Sequence, residues 1–301
     1  MKILFYPREK CKYAMTVISG NDFLSDIFGK RYDCQIVPVF YNGLKLDTED
    51  AIFEFLKEIS INIKNTYKKE TISFYYNVLE NKAFYLVPEE TKINTVDFSQ
   101  NKELLPTQFL ENLLYATLIP EDDVIALHGA AVAKDGKATL LLASTMNGKS
   151  TLTAFLWQAG YEYITDDEIF ISRQDIQVQT VRKNLSLRQG GYDLLGSSFD
   201  KVNKIFDGST TSYIVEPVKK LKYKSYTIEK VVFLAGYGSD EPYFVKIEPR
   251  DAFLRLLKGQ LSSRNSEGNV AEKYLILTKL AQNAYEMRYS DLWTAEKFLK
   301  H

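Results

Sequence analysis

The chain has 301 residues and a mass of 34.6 kDa, about twice the usual domain length, so one large or two modest domains are expected. Its 45% hydrophobic and 26% charged residues are ordinary globular usage and exclude a disordered, collagenous or low-complexity chain. Thirty-eight Lys and Arg stand against 39 Asp and Glu, a net charge of −1, so no global positive field exists to recruit nucleic acid or an anionic membrane.

Two cysteines occur, Cys11 and Cys34, with none of the Cys/His spacing of a zinc site or a disulfide framework. The N-terminus reaches Pro7 and Arg8 before an apolar run long enough for a signal peptide develops. The runs Ala138 to Ala143 and Val231 to Ala235 fall far short of the roughly 20 residues of a membrane-spanning helix. A cytoplasmic, soluble protein with neither membrane nor nucleic-acid partner is expected, and a homo-oligomer stays open.

In chain order, Lys2 to Tyr6 predicts a strand, and the apolar run Gln35 to Tyr41 a second one ending in an Asn42-Gly43 turn. After Asp47, the residues Ile52, Phe53, Phe55, Leu56, Ile59 and Ile63 fall mostly on one helical face, with Glu49 and Asp50 near its N-terminal end. Aromatic-rich strands follow at Ile72 to Leu79 and Ala83 to Val87, and a helix begins at Pro106. Residues 1–120 thus read as a small α+β domain whose chemistry is open, with docking of a substrate or leader peptide as one role. From Val124 the pattern changes. Val124 to Val132 and Lys137 to Ala143 read as two extended runs joined across Asp135-Gly136, a hairpin signal. A helix with Leu152, Phe155, Leu156 and Ala159 ends at Gly160, and the strand Tyr161 to Thr165 delivers Asp166-Asp167-Glu168. Helices at Asp251 to Leu257 and Glu272 to Ala284, a strand at Tyr285 to Tyr289 and a short helix with Leu292, Phe298 and Leu299 complete the chain.

Between the second extended run and its helix lies Ser144-Thr145-Met146-Asn147-Gly148-Lys149-Ser150-Thr151. Its second half meets the phosphate-loop pattern G-x-x-x-x-G-K-[ST], while Ala143 stands where the first glycine would be. A loop from strand to helix turns backbone amides, here those of Ser144 to Thr151, into one concavity, and the helix end adds a positive dipole. Lys149 would reach the β- and γ-phosphates of ATP or GTP, and the Ser150 hydroxyl would ligate Mg²⁺. A Gly-Lys-Ser or Gly-Lys-Thr tripeptide alone arises by chance in roughly one chain in ten of this length, so the weight falls on the flanking strand, helix and acidic pair. Of Asp166 and Asp167, one would hold the metal and the other accept or orient the proton of an attacking hydroxyl, in either order. His301 ends the chain, which leaves His128 as the histidine to donate to a phosphate oxygen or to set a carboxylate's charge, or else to serve as a structural residue.

The series His128-Gly129, the loop Ala143 to Thr151, and Thr165-Asp166-Asp167-Glu168 resembles the catalytic domain of HPr kinase/phosphorylase. The stretches Leu185-Ser186-Leu187-Arg188, Glu216-Pro217, Ile228 to Leu234 and Tyr285 to Leu292 look like the shorter HPr-kinase-like proteins of ribosomal peptide maturation, including lasso-peptide kinases. The resemblance covers about residues 124–299. It implies an α/β fold, a P-loop kinase core of the HPr kinase/phosphoenolpyruvate carboxykinase type in a catalytic domain spanning 121–301. It also implies that Gly148, Lys149, Ser150 and Thr151 bind nucleotide phosphates, that Ser150 and Asp166 (or Asp167) hold the metal, and that the other aspartate acts as base with His128 assisting. The glycine-rich segment that full HPr kinase/phosphorylases carry after the double aspartate has no clear copy here, so the resemblance does not extend to phosphorylase activity. Arg182, Lys183 and Arg188 would receive an acidic leader or the product phosphate, or form a solvated face. The expected activity is an ATP- or GTP-dependent, Mg²⁺-requiring kinase acting on a serine or threonine hydroxyl of a peptide or small protein. Its alternatives are a kinase of free serine or another small metabolite, and a non-catalytic nucleotide-binding regulator.

Overall fold

The computed structural model describes residues 2–7, 13–19, 22–32, 34–37, 45–88, 90–100, 105–118, 124–144, 146–181, 183–206, 209–216, 224–238, 240–261 and 270–300. The Asn42-Gly43 turn, the end of the strand predicted at Gln35 to Tyr41, Thr145, Arg182, Pro217 and His301 lie outside the described residues. The chain divides into two compact units, Met1–Leu118 with Asp207–Thr210, and Ile119–Phe206 with Thr211–His301.

In the first unit, strands β1 (Lys2–Pro7), β2 (Tyr13–Ser19), β3 (Gln35–Val37), β4 (Glu70–Asn77), β5 (Lys82–Leu86) and β6 (Asn94–Asp97) form one sheet in the order β3-β1-β2-β4-β5-β6. Its helices are α1 (Asp22–Arg31), α2 (Glu49–Tyr67) and α3 (Pro106–Leu118). β2 and β4 are parallel, and the other neighbours are antiparallel. The predicted helix after Asp47 is α2. Thr48 Oγ1 accepts from the Ala51 amide at 3.2 Å, and the helix stops at Lys68 in the left-handed region (φ 56°). Its stripe Ile52, Phe55, Leu56, Ile59 and Ile63 packs on Ala14, Ile18, Tyr75 and Phe84. On the opposite face Phe74 meets Phe109 of α3, ring centroids 6.3 Å apart. Covered on both sides, β4 is buried without alternation from Thr71 to Tyr76, its polar Thr71 and Ser73 included. β2 escaped the sequence pattern because Thr16 interrupts its apolar run; that hydroxyl is buried and donates to Ser73 Oγ at 2.9 Å.

The second unit contains β7 (Val124–His128), β8 (Ala130–Lys134), β9 (Lys137–Leu142), β10 (Glu162–Thr165), β11 (Glu168–Ser172), β12 (Gln177–Gln179), β13 (Leu185–Leu187), β14 (Val202–Phe206), β15 (Thr211–Val215), β16 (Ser225–Tyr237), β17 (Tyr243–Lys246) and β18 (Ala284–Tyr289). Between them run α4 (Lys149–Gln158), α5 (Gln189–Leu195), α6 (Pro249–Lys258), α7 (Val270–Ala281) and, last, α8 (Leu292–Lys300). The main sheet runs β10-β8-β9-β16-β12-β11-β7, with β18 also on β16 and β17 on β18, while β13, β15 and β14 make a small antiparallel sheet. β9, β16 and β18 are mutually parallel where they pair. Along β9 and β16, Leu140 and Val231 join a core with Leu256 of α6 and Leu277 of α7. Their neighbours Leu141 and Val232 join a second core with Leu152 of α4, Leu187 of β13 and Leu299 of α8. The fold is therefore mixed α/β with the central strands covered on both faces. Among the described residues no helix is long and apolar enough to cross a membrane.

The Asp135-Gly136 hairpin forms as its residues require, with φ of 51° and 77°. The reading of Val124 to Val132 as one extended run is corrected, because the strand breaks at Gly129. β7 pairs with β11, setting His128 opposite Glu168, whereas β8 pairs with β9 and β10. A Cβ on Gly129 would stand 2.5 Å from Leu142 Cδ2 and 2.8 Å from the Leu141 carbonyl oxygen. Gly129→Ala is accordingly expected to destabilise the fold by about 1–3 kcal/mol, the scale of overpacking. Chemical denaturation measures it, and an unchanged midpoint would contradict the close approach.

Candidate functional site

β9 ends at Leu142 and α4 begins at Lys149, so the predicted phosphate loop joins a buried strand to a helix. Two left-handed residues, Met146 (φ 72°) and Gly148 (φ 78°), fold it back onto the helix. Gly148 is the N-cap and makes no side-chain cap, so the first-turn amides of α4 keep their donors for another acceptor. Glycine is needed at 148 for its φ and because a Cβ there would lie 2.7 Å from the Tyr289 hydroxyl. Burial pushes that phenol up to about 12, so it is neutral at ordinary pH.

Lys149 is buried, and its Nζ donates to the carbonyl oxygens of Ala143 at 2.9 Å and Ser144 at 3.3 Å. The loop thus holds the ammonium by its own backbone. Burial pulls the Lys149 pKa down, against the pull of Asp167 and Asp166, and nearby Arg188 lowers it further. Arg188, exposed at the N-cap of α5, therefore belongs to the electrostatic neighbourhood of Lys149. Ser144 is exposed and Asn147 half-buried, its amide donating to the Ser144 carbonyl at 3.4 Å. Thr151 Oγ1 lies 2.6 Å from where a Cβ on Gly191 of α5 would stand, so its side chain packs on α5.

The turn between β10 and β11 presents the acidic pair with different surroundings. Asp166 is 1% exposed. Ser150 Oγ donates to its Oδ1 at 3.1 Å, and its Oδ2 has no hydrogen-bond partner. Burial raises the Asp166 pKa and Asp167 raises it further, with Lys183, the Ser150 hydroxyl and the Ser186 backbone amide acting the other way. Asp167 has φ 71° and a side chain 39% exposed. Burial acts to raise its pKa, but Lys183, His128 and Lys149 prevail and hold it below the usual carboxylate range. The two neighbours are thus a buried carboxylate facing Ser150 and a solvent-reaching one kept anionic.

Lys183 does what the sequence did not foretell. Its side chain is 5% exposed, and its Nζ donates to Asp167 Oδ2 at 3.2 Å and to buried Glu168 Oε1 at 3.1 Å. The expectation that it would receive an acidic leader or a product phosphate from the surface is corrected, because its ammonium is turned inward onto the acidic turn. The signal available was charge: three successive acids on a buried strand end need a cation, and Lys183 lies just before β13.

His128 comes to this turn through the β7–β11 pairing, not through the hairpin that feeds the loop. Its Nδ1 donates to the Asp167 carbonyl oxygen at 3.0 Å, and the Gly129 amide donates to the same oxygen at 3.1 Å. Because a carbonyl only accepts, Nδ1 carries the proton, and in the neutral ring Nε2 is the acceptor. Burial, then Lys149, lowers the His128 pKa, so the imidazole is neutral at pH 7. His128 therefore fixes the main chain of Asp167.

The partnerless buried Oδ2 of Asp166, one atom removed from the Ser150 hydroxyl contact, fits a hard divalent cation. Among the described residues no group of three or more His, Cys, Asp or Glu is placed to hold a metal ion. Mg²⁺ commonly takes one or two protein oxygens and fills the rest of its shell with water and phosphate, so Ser150 and Asp166 suit it.

No family model matches the chain, and no curated protein matches it. Among solved structures it is similar to the Hpr(Ser) kinase/phosphatase from Coxiella burnetii at 12% identity, over 58% of this chain and 93% of that one, with a TM-score of 0.28. A likeness that loose assigns no chemistry, which rests on the side chains above.

Proposed function

We propose that this protein is a nucleotide-dependent phosphotransferase that moves the γ-phosphoryl group of ATP or GTP to a serine or threonine hydroxyl of a peptide or small protein. The observation that carries the reading is the pairing of Ser150 at the start of α4 with buried, half-satisfied Asp166, while Asp167 on the same turn reaches solvent.

In this reading the first-turn amides of α4 and the Lys149 ammonium take the β- and γ-phosphate oxygens. Mg²⁺ held by Ser150 and Asp166 supplies positive charge for those oxygens when bound. Asp167 accepts a hydrogen bond from the acceptor hydroxyl and aims its oxygen at the γ-phosphorus. The new O–P bond forms as the bond to the β,γ-bridging oxygen breaks, the hydroxyl proton passes to the Asp167 carboxylate, and a nucleoside diphosphate leaves. A low carboxylate pKa suits a loose transition state, in which orientation counts for more than early proton removal. Lys183 keeps Asp167 charged, and His128 with Gly129 holds its backbone. Arg188 lies beside Lys149, where it suits the phosphorylated product or an acidic residue near the acceptor.

The test is incubation of the purified protein with γ-labelled ATP or GTP, Mg²⁺ and serine-containing peptides, followed by mass spectrometry for an added phosphate. Label on a peptide serine or threonine supports the proposal. Label on free serine alone replaces the acceptor class, nucleotide bound but never consumed makes the protein a regulator, and no nucleotide binding at all overturns the reading.

A further inference from the structure

β9 and β16 are parallel neighbours, so the loop that leaves β9 and the last residue of β16 emerge at the same end of the sheet, the end at which open α/β sheets bind ligands. That last residue is Tyr237. It is 67% exposed, a large aromatic left in water at the mouth of the loop. The ring is placed against the loop itself: a Cβ on Gly148 would stand 3.5 Å from Tyr237 Cδ1 and 3.8 Å from its Cε1. It stacks loosely on Tyr289, centroids 6.1 Å apart at 23°. Tyr289 and Gly148 are therefore neighbours of the ring, which nonetheless keeps most of its surface exposed.

The flanking backbone is specialised. Gly236 (φ 134°) and Gly238 (φ 141°) hold conformations that side chains rarely adopt, with nothing within 4 Å of either Cβ position, and the Gly238 amide donates to the Tyr289 carbonyl at 3.1 Å. The glycines on either side thus add no side chain next to the ring, and the space at both of their Cβ positions is open. An apolar face beside a row of free amides and an ammonium is the complement of a molecule with a planar base at one end and phosphates at the other. The second sign of a ligand at this end of the sheet is independent of the ring: the buried, partnerless Oδ2 of Asp166.

We infer that Tyr237 is the platform on which the nucleobase of the bound nucleotide stacks. The inference rests on the nucleotide-binding part of the proposed function and adds the base-binding residue. Stacking reads the π-face of a base and no hydrogen-bond pattern, so Tyr237 favours the larger purines over pyrimidines and discriminates little between adenine and guanine. Base stacking on an aromatic side chain is worth about 1–3 kcal/mol, equivalent to about 5- to 150-fold in affinity.

The experiment is titration calorimetry of ATP, GTP and inorganic tripolyphosphate, each with Mg²⁺, on the wild-type chain and on Tyr237→Ala and Tyr237→Phe. Expected are a loss of about tenfold in ATP and GTP affinity for Tyr237→Ala, tripolyphosphate affinity within about twofold of wild type, and near wild-type behaviour for Tyr237→Phe. Undiminished ATP affinity in Tyr237→Ala overturns the platform while leaving the phosphate site standing. An equal loss for tripolyphosphate also overturns it, since the ring would then be shaping the loop. A wild-type chain that binds none of the three sinks the proposed function and this inference together.

Discussion

Lys149→Ala is expected to weaken ATP or GTP binding by about 10²- to 10³-fold and to bring phosphoryl transfer below detection. The side chain is buried and pre-aimed by the Ala143 and Ser144 carbonyl oxygens, so its ammonium meets the phosphate tail without a large ordering cost. Truncating one member of such a desolvated charge pair typically costs about 2–5 kcal/mol of binding. The same substitution leaves the Ala143 and Ser144 carbonyl oxygens without that donor, so a modest fall in the thermal midpoint is expected as well. Calorimetric titration beside a melting curve separates the two effects, and wild-type affinity in the variant would remove the phosphate loop from the site.

Asp167→Asn is expected to cut turnover by about 10²- to 10⁴-fold, the scale of a general base, with nucleotide affinity changed only a few-fold. Asparagine is the suitable replacement because it tolerates the left-handed conformation at this residue, and because Lys183 keeps its contact with Glu168. Asp166→Asn should behave differently, since that carboxylate faces Ser150 and a change there alters the Mg²⁺ dependence of nucleotide binding. Steady-state rates and nucleotide titrations on both variants decide the matter. If Asp166→Asn retains metal-dependent binding and loses turnover while Asp167→Asn does the reverse, the two roles are exchanged.

The site was legible in the sequence where local chemistry forces local structure. Gly148-Lys149-Ser150 needs a left-handed cap followed by a helix, and Asp135-Gly136 needs a tight hairpin; both stand as read. The helices α2, α3, α6 and α8 likewise follow from apolar spacing, with the opening Pro106 for α3, while α6 starts at Pro249, two residues before the expected Asp251. What stayed hidden depends on pairing between distant strands. The interruption at Gly129 looks from the sequence like any glycine in a strand, because the atoms that exclude a side chain there belong to Leu141 and Leu142. The inward turn of Lys183 is signalled only by the charge of the acidic turn, as its partners lie 15 and 16 residues upstream. The choice between the two aspartates also needed three dimensions: adjacent residues in a turn point apart, but which one meets Ser150 is settled by the crossing of β10 beside α4.

The backbone at Asp167 carries a longer consequence. A residue with a side chain held at φ 71° sits about 1 kcal/mol above its relaxed state, and two donors on one carbonyl, the Gly129 amide and His128 Nδ1, keep it there. A glycine at this position would relieve the strain but discard the carboxylate and its contact with Lys183, so in the proposed reading the strain accompanies the group that does the work.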